Sequence, residues 1–258
     1  MKSSSGSASR PAFRRNRESS RKDPPQSSRY SLPHRKTLIA DSPCYPPPSP
    51  NDIFFDIEGY PLIADGLEDL LGATVLREDG TPDFKDWWAH DEVEEKASFE
   101  AFIDWVHKRW REDRSMRIYH YAPYEVTAMR RLMGKYATRE DKVDDLPRND
   151  VFVDLYRIVQ QSLRLGTDSY SLKQVEKIYR EEREGDVQTA LGSVVYYGQW
   201  LESEQSRDWT ESKILRKIRD DNEDDCESTW ELAEWLRRKQ EEHGIVFSPP
   251  ADPGDQAD

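Results

Sequence analysis

Short apolar runs broken by acids and turn residues predict a small sheet early in the chain. The run at 53–55 leads into Asp56-Ile57-Glu58-Gly59, which is typical of a buried strand that carries two acids. Residues 70–76 and 84–88 predict two further strands. Because the links between these segments are short, we expect three consecutive antiparallel strands.

Helical periodicity follows over residues 91–110. Apolar residues there fall on one face of the helix, at Phe99, Phe102, Ile103, Val106 and Trp110. Strands are predicted at 117–121 and 151–155, and helices from about Tyr124 and at 171–179, 187–201 and 212–242, the last either long or broken. Strands followed by alternating helices and strands predict an α/β fold, a mixed sheet flanked by helices.

The two ends of the chain differ in composition from this central part. Residues 1–50 are rich in Ser, Arg and Pro, and such a segment buries too little apolar surface to offset the entropy of ordering it. We predict disordered tails at 1–50 and 246–258 around one domain at 51–245.

Charge is distributed unevenly between the basic tail and the body. Residues 1–40 contain ten Lys and Arg against two acids, whereas the remainder contains 28 against 49. The tail is therefore either a contact for nucleic acid or a protein partner, or simply solvated. The acidic body argues against tight, nonspecific binding of nucleic acid, since phosphate is repelled. A carboxylate-lined metal site stays compatible with it, because bound cations invert the local field.

Neither the cysteines nor the apolar runs indicate export or a membrane. Cys44 and Cys226 form no ligand cluster and no disulfide framework, and free thiols favour a reducing, cytoplasmic location. No apolar run approaches ~18 residues, and the basic N-terminus lacks the apolar core of a secretory signal.

Asp56 and Glu58 are the first candidate site residues. Alternate residues of a strand point the same way, so both carboxylates are predicted on one face. Beside Phe54 and Phe55 they need cations or hydrogen bonds, because burial of a bare charge is costly. A divalent metal ion is the natural partner, although D-x-E also occurs by chance in acidic proteins.

Asp225 is the second candidate. An apolar stripe on the predicted helix 212–242 is formed by Leu215, Ile218, Leu232 and Leu236. Asn222, Asp225 and Thr229 fall on the same stripe. A solvated acidic face is the common alternative on helices, but the position of Asp225 on the stripe favours a core-facing site.

Glu125 is the third candidate, in the segment 119–125 that joins a strand to a helix. A carboxylate near a helix N-terminus is favoured electrostatically, so simple capping and metal binding stay equally open there. His120 has no second His at ligand spacing, which favours a packed or hydrogen-bonded role.

Three segments resemble, in order, the three exonuclease motifs of the DnaQ-like superfamily. These are Phe55-Asp56-Ile57-Glu58-Gly59, Tyr121-Ala122-Pro123-Tyr124-Glu125 and Asn222-Glu223-Asp224-Asp225-Cys226. The stretches 101–105, 151–157 and 169–173 support the likeness, which covers roughly residues 47–245. It is closest to the YprB-type ribonuclease-H-like domain of predicted RecB-family nucleases.

The resemblance implies a metal-dependent 3′–5′ exonuclease that hydrolyses phosphodiester bonds in DNA or RNA. Two Mg²⁺ or Mn²⁺ ions would be held by Asp56, Glu58, Glu125 and Asp225. In that family such domains often lie between a RecB-like nuclease region and a helicase. This chain has no G-x-x-x-x-G-K-[ST] sequence, so it would correspond to the middle module, with a helicase or RecB-like nuclease as partner.

Two positions depart from the pattern of that superfamily. Glu125 stands where Asp is usual, and its side chain is one methylene longer. Asp221 stands four residues before Asp225, where tyrosine-type enzymes carry the residue that orients or deprotonates the attacking water. Three alternatives then stay open: Asp221 is a substitute base, the metal ions suffice without one, or the activity is weak. The rival interpretation is a weak or inactive module that acts in binding or assembly beside a helicase or nuclease.

Overall fold

The computed structural model describes residues 30–31, 45–165, 169–180 and 192–245. The strands are β1 (Tyr30–Ser31), β2 (Ile53–Tyr60), β3 (Leu67–Leu76), β4 (Pro82–Trp88), β5 (Ile118–His120), β6 (Phe152–Asp154) and β7 (Arg164–Leu165). The helices are α1 (Glu92–Glu112), α2 (Tyr124–Tyr136), α3 (Glu140–Arg148), α4 (Leu155–Ser162), α5 (Leu172–Val175), α6 (Gly192–Leu201) and α7 (Lys213–Glu242), and Glu176–Ile178 is a short 3-10 helix.

The main sheet is mixed, in the order β4-β3-β2-β5-β6. β2, β3 and β4 pair antiparallel, whereas β2 pairs parallel with β5 and β5 with β6. Asp56 lies opposite Gly72 in the β2–β3 ladder, and the register shifts between Glu58 and Tyr60. The predicted α/β fold, a mixed sheet flanked by helices, is confirmed. A separate pair is formed by β1 and β7.

Alternation along β2 gives the sheet two apolar faces. Phe55 and Ile57 pack with the stripe of α1, in which Phe99 and Phe102 are fully buried. Phe54 packs on the opposite face with Tyr119 and with apolar residues of α7, such as Leu232. Helices therefore cover both faces, and α7 lies over the face that carries Asp56 and Glu58.

The first and last of the long helices each begin at a capping side chain. Asp91 accepts from the backbone N–H groups of Val93 and Glu94 at the start of α1. Ser212 caps α7 in the same way. α7 is one continuous helix of 30 residues, which settles the choice between a long and a broken helix.

The sequence pattern missed two helices, α3 and α4, and misplaced several ends; α4 begins at Leu155, the last residue of the predicted strand 151–155. α3 was not predicted, because only Val143 and Leu146 of its nine residues are buried and Pro147 lies inside it. β3 begins at Leu67 rather than residue 70. The first part of the helix predicted at 187–201 lies outside the described residues, and α6 begins at Gly192.

The predicted tails lie mostly outside the described residues, so their disorder and the domain boundaries stay predictions. Within residues 45–50, Tyr45 is buried, and its backbone N–H donates to Gln240 Oε1 of α7 at 3.1 Å. Across the described ranges, no helix has the length and apolar character needed to cross a membrane.

Candidate metal centre

Three acids that are far apart in sequence meet on the α7 side of the sheet. β2 places Asp56 and Glu58 on one face, as alternation predicts, and α7 brings Asp225 to them. One carboxylate oxygen from each residue lies within 4.8 Å of the corresponding oxygens of the other two, and all three side chains are partly buried. The strand carboxylates of Asp56 and Glu58 and the helix carboxylate of Asp225 thus lie close together, as the sequence pattern led us to expect.

Burial and mutual repulsion both disfavour the ionised forms of these acids. Burial raises the pKa of Asp56 well above its ordinary value, and the charges of Asp225, Glu58 and Glu125 raise it further. Burial also raises the pKa of Glu58 to about 8. Glu58 therefore favours its protonated form at neutral pH, and the pKa of Asp56 is shifted in the same direction.

Groups from three other elements surround Glu58. A hydrogen bond from the Ser193 side chain of α6 and the charge of Lys173 of α5 lower its pKa, whereas the charge of Asp221 raises it. Asp221 thus lies close enough to Glu58 to act on it electrostatically, one turn before Asp225 on α7. Neither Ser193 nor Lys173 was singled out from the sequence. Lys173 was noted only as part of the stretch 169–173.

Glu125 lies next to the three acids but is not one of the mutually close group. Its Oε2 is 3.4 Å from His120 Nδ1, and both side chains are buried. Its charge nevertheless raises the pKa of Asp56. The role of Glu125 as a fourth ligand therefore stays a prediction, and the structure pairs it with His120.

The turn between β5 and α2 holds this pair. Ala122 has a φ of 81°, an uncommon conformation for a residue with a side chain. Its N–H donates to Asp154 Oδ1 at 3.1 Å, and its carbonyl accepts from His120 Nδ1 at 2.7 Å. A carbonyl only accepts, so Nδ1 of His120 carries a hydrogen. His120 is thus a hydrogen-bonded residue, as the sequence favoured.

Two more residues at the centre had no role assigned from the sequence. Asn222 is fully buried and donates from Nδ2 to Asp56 Oδ2 at 2.8 Å. Asp69 of β3 is buried beside Glu58, whose charge adds to the effect of burial in raising the pKa of Asp69. Asn222 carried a usable signal, since it is a polar residue on the apolar stripe of α7. Asp69 carried no sequence signal beyond its place in an apolar strand.

The donor set of the cluster fits a hard divalent cation. All three candidate ligands supply carboxylate oxygen, which suits Mg²⁺ or Mn²⁺ better than the nitrogen and sulfur donors that zinc favours. A bound cation would offset both the repulsion and the burial that raise the pKa of Asp56 and Glu58.

Comparison with known proteins agrees with this geometry. The RNase_H_2 family, described as RNase H superfamily, matches residues 53–237, which include all the acids described above. No curated protein and no solved structure matches the chain. The match covers well over half of the sequence, from the strand that bears Asp56 to the helix that bears Asp225, and the chain therefore belongs to the RNase H superfamily.

Proposed function

We propose that this chain is a metal-dependent nuclease that hydrolyses phosphodiester bonds in DNA or RNA as a 3′–5′ exonuclease. The observation that carries the proposal is the convergence of Asp56, Glu58 and Asp225 oxygens within 4.8 Å. Burial and the neighbouring acids raise the pKa of Asp56 and Glu58, and a bound divalent cation would offset both effects.

Asp56, Glu58 and Asp225 would hold the ions, with Glu125 as a fourth acid beside them. Two Mg²⁺ or Mn²⁺ ions, when bound, activate water and stabilise the charge on the leaving oxygen. The residues of the chain supply the rest of the chemistry. The Ser193 side chain on α6 bonds Glu58, and Asp221 on α7, whose charge acts on Glu58, would accept a proton from the attacking water.

The 3′–5′ polarity is supported by the resemblance of the three motif segments to DnaQ-like exonucleases. The same resemblance supports a YprB-type domain that works with a helicase or a RecB-like nuclease. Membership of the RNase H superfamily supports a nucleic-acid substrate without choosing between DNA and RNA.

Digestion of end-labelled strands tests this proposal. Single-stranded DNA and RNA, labelled at either the 3′ or the 5′ end, are incubated with Mg²⁺ or Mn²⁺. A 3′–5′ exonuclease releases the 3′ label first as mononucleotide and shortens the 5′-labelled strand stepwise.

Matched variants show whether the cluster is responsible. Glu58→Gln removes one carboxylate of the centre and should abolish cleavage. Glu78→Gln removes an exposed carboxylate in the turn between β3 and β4 and should leave cleavage unchanged. Equal cleavage by Glu58→Gln and the wild type would contradict the proposal.

One observation favours a second candidate function, a non-catalytic module for binding or assembly. The place of the water-orienting tyrosine is taken by Asp221, whose charge disfavours ionised Glu58. Metal binding without cleavage of any of the labelled strands would support this second function.

A further inference from the structure

The contact between Asn222 and Asp56 has a geometry that packing alone does not explain. Asn222 Nδ2 donates to Asp56 Oδ2 at 2.8 Å, across the face of the sheet that α7 covers. The opposite amide orientation would set an acceptor against an ionised carboxylate, so only this orientation stabilises the charged form of Asp56. The bond links α7 directly to the strand that bears two of the three clustered acids.

The bond depends on the absence of a side chain at position 72. Gly72 is directly opposite Asp56 in the β2–β3 ladder. A Cβ there would lie 1.6 Å from Asn222 Oδ1, 2.8 Å from its Cγ and 2.9 Å from Phe84 Cζ, so Asn222 is the group that it would meet most closely. Gly72 has no left-handed backbone that would require glycine, so the position provides space, chiefly for Asn222 and also for the Phe84 ring.

The buried amide of Asn222 lowers the stability of the folded state. Asn222 is fully buried, and among the described residues its Oδ1 has no hydrogen-bond partner. A buried polar atom without a partner destabilises the folded state. Ile218 and Leu215 occupy the same stripe of α7 one and two turns earlier, where apolar side chains fill the space.

We infer that Asn222 is a positioning residue that fixes the carboxylate of Asp56 for metal binding, and that Gly72 makes room for it. The inference rests on the proposed metal-dependent function. The hydrogen bond from Asn222 to Oδ2 of Asp56 fixes the plane of the Asp56 carboxylate. This bond does not involve Oδ1 of Asp56. It also supplies a positive dipole to Asp56 where Glu58 and Asp225 supply only negative charge. Groups of this kind around metal ligands typically change metal affinity about 10- to 100-fold.

Mn²⁺ affinity, measured by calorimetry and by the electron paramagnetic resonance of free Mn²⁺, tests the inference without relying on cleavage. Asn222→Ala should raise the Mn²⁺ dissociation constant about 10- to 100-fold. Asn149→Ala is the matched control. Asn149 is exposed at the end of α3, and its side chain donates to the Asp145 carbonyl, so loss of that side chain should leave affinity unchanged.

A second pair of variants separates positioning from stability. Gly72→Ala forces Asn222 away from Asp56 and should lower both the melting temperature of the metal-free chain and its Mn²⁺ affinity. Adding Asn222→Ala to Gly72→Ala removes the collision with Oδ1. The double variant should then regain melting temperature relative to Gly72→Ala while its Mn²⁺ affinity stays low. A merely structural role predicts that affinity and stability recover together.

The outcomes separate this inference from the proposed function. Wild-type Mn²⁺ affinity in Asn222→Ala, or recovery of affinity in the double variant, overturns the positioning role and leaves the nuclease proposal standing. A wild-type chain that binds no Mn²⁺ overturns both. Weakened binding in Asn222→Ala, with Asn149→Ala unchanged and no recovery in the double variant, supports the inference.

Discussion

His120 Nδ1 lies 3.4 Å from Glu125 Oε2, and the two side chains are only 3% and 4% exposed. Burial by itself lowers the pKa of His120, but the adjacent carboxylate of Glu125, the charge of Asp154 and the hydrogen bond to the Ala122 carbonyl outweigh burial and raise it. Glu125 in turn has a pKa raised by burial and lowered by His120. Each group therefore stabilises the charged form of the other at the edge of the three-acid cluster.

His120→Phe should destabilise the chain, because it leaves Glu125 buried without its partner. We expect a loss of about 1–3 kcal/mol in the free energy of unfolding at pH 6, measured by urea denaturation. Glu125→Gln should reduce this loss, so a double-mutant cycle should give a coupling energy of at least about 0.5 kcal/mol. Additive effects of the two substitutions would contradict an energetic pairing.

The stability of the metal-free chain should fall as the pH rises from about 4.5 to about 8. Glu58 has an ordinary pKa of 4.5, and burial raises it to about 8 in the folded chain. The folded state thus binds this proton more tightly than the unfolded state, which favours folding at low pH and removes that advantage as the pH passes the folded pKa. Asp56 acts in the same direction.

Urea denaturation in EDTA at several pH values measures this slope. Glu58→Gln, which carries no titrating proton, should have a flatter profile and greater stability than the wild type at pH 8. Saturating Mg²⁺ should flatten the wild-type profile too, because metal binding displaces the protons. A wild-type stability that rises between pH 5 and 8 in EDTA would contradict the raised pKa of Glu58.

Much of this centre was predictable from the sequence because two periodic patterns pointed to it. Alternation in β2 places Asp56 and Glu58 on one face, and the stripe of α7 turns Asp225 toward the sheet. Both patterns depend only on local geometry.

The rest of the centre depends on tertiary distances. Glu125 follows a strand end as predicted, yet its partner is His120, because the turn at Ala122 directs the two side chains toward each other. The role of Gly72 appears only when α7 is docked and Asn222 occupies the space above it. A glycine inside an apolar strand indicates a close approach but does not name the residue that approaches.

Saturating Mg²⁺ or Mn²⁺ should raise the melting temperature, since an ion that binds only the folded state stabilises it by mass action. At a concentration of about 100 times the dissociation constant the gain is about 2.7 kcal/mol. Asp225→Asn removes one of the three mutually close carboxylates, so it should reduce the gain. Thermal melts with and without Mg²⁺ or Mn²⁺, in buffers free of Ca²⁺, measure this gain in stability. Coincident melting curves, and no heat of binding in calorimetry, would exclude a working metal centre.

Asp221 is expected to assist the attack of water in the proposed nuclease. It is partly buried one turn before Asp225, and its charge raises the pKa of Glu58, so it is not a distant surface acid. Bound cations would keep it ionised, since nearby positive charge favours the anionic form. General base assistance typically contributes ~10²–10⁴-fold in rate. Asp221→Ala should lower the single-turnover rate by a factor in this range without unfolding the chain.

Asp221→Tyr separates a base from a merely repulsive charge. It supplies the hydroxyl that tyrosine-type exonucleases carry at this place and removes the negative charge beside Glu58, so cleavage should be retained or increased. Single-turnover rates at several pH values compare the wild type with both variants, and circular dichroism checks that each is folded. If Asp221 is the base, the acidic limb of the wild-type rate profile disappears in Asp221→Ala. Equal rates for all three proteins at every pH would remove Asp221 from the mechanism and leave its charge as a modifier of Glu58 alone.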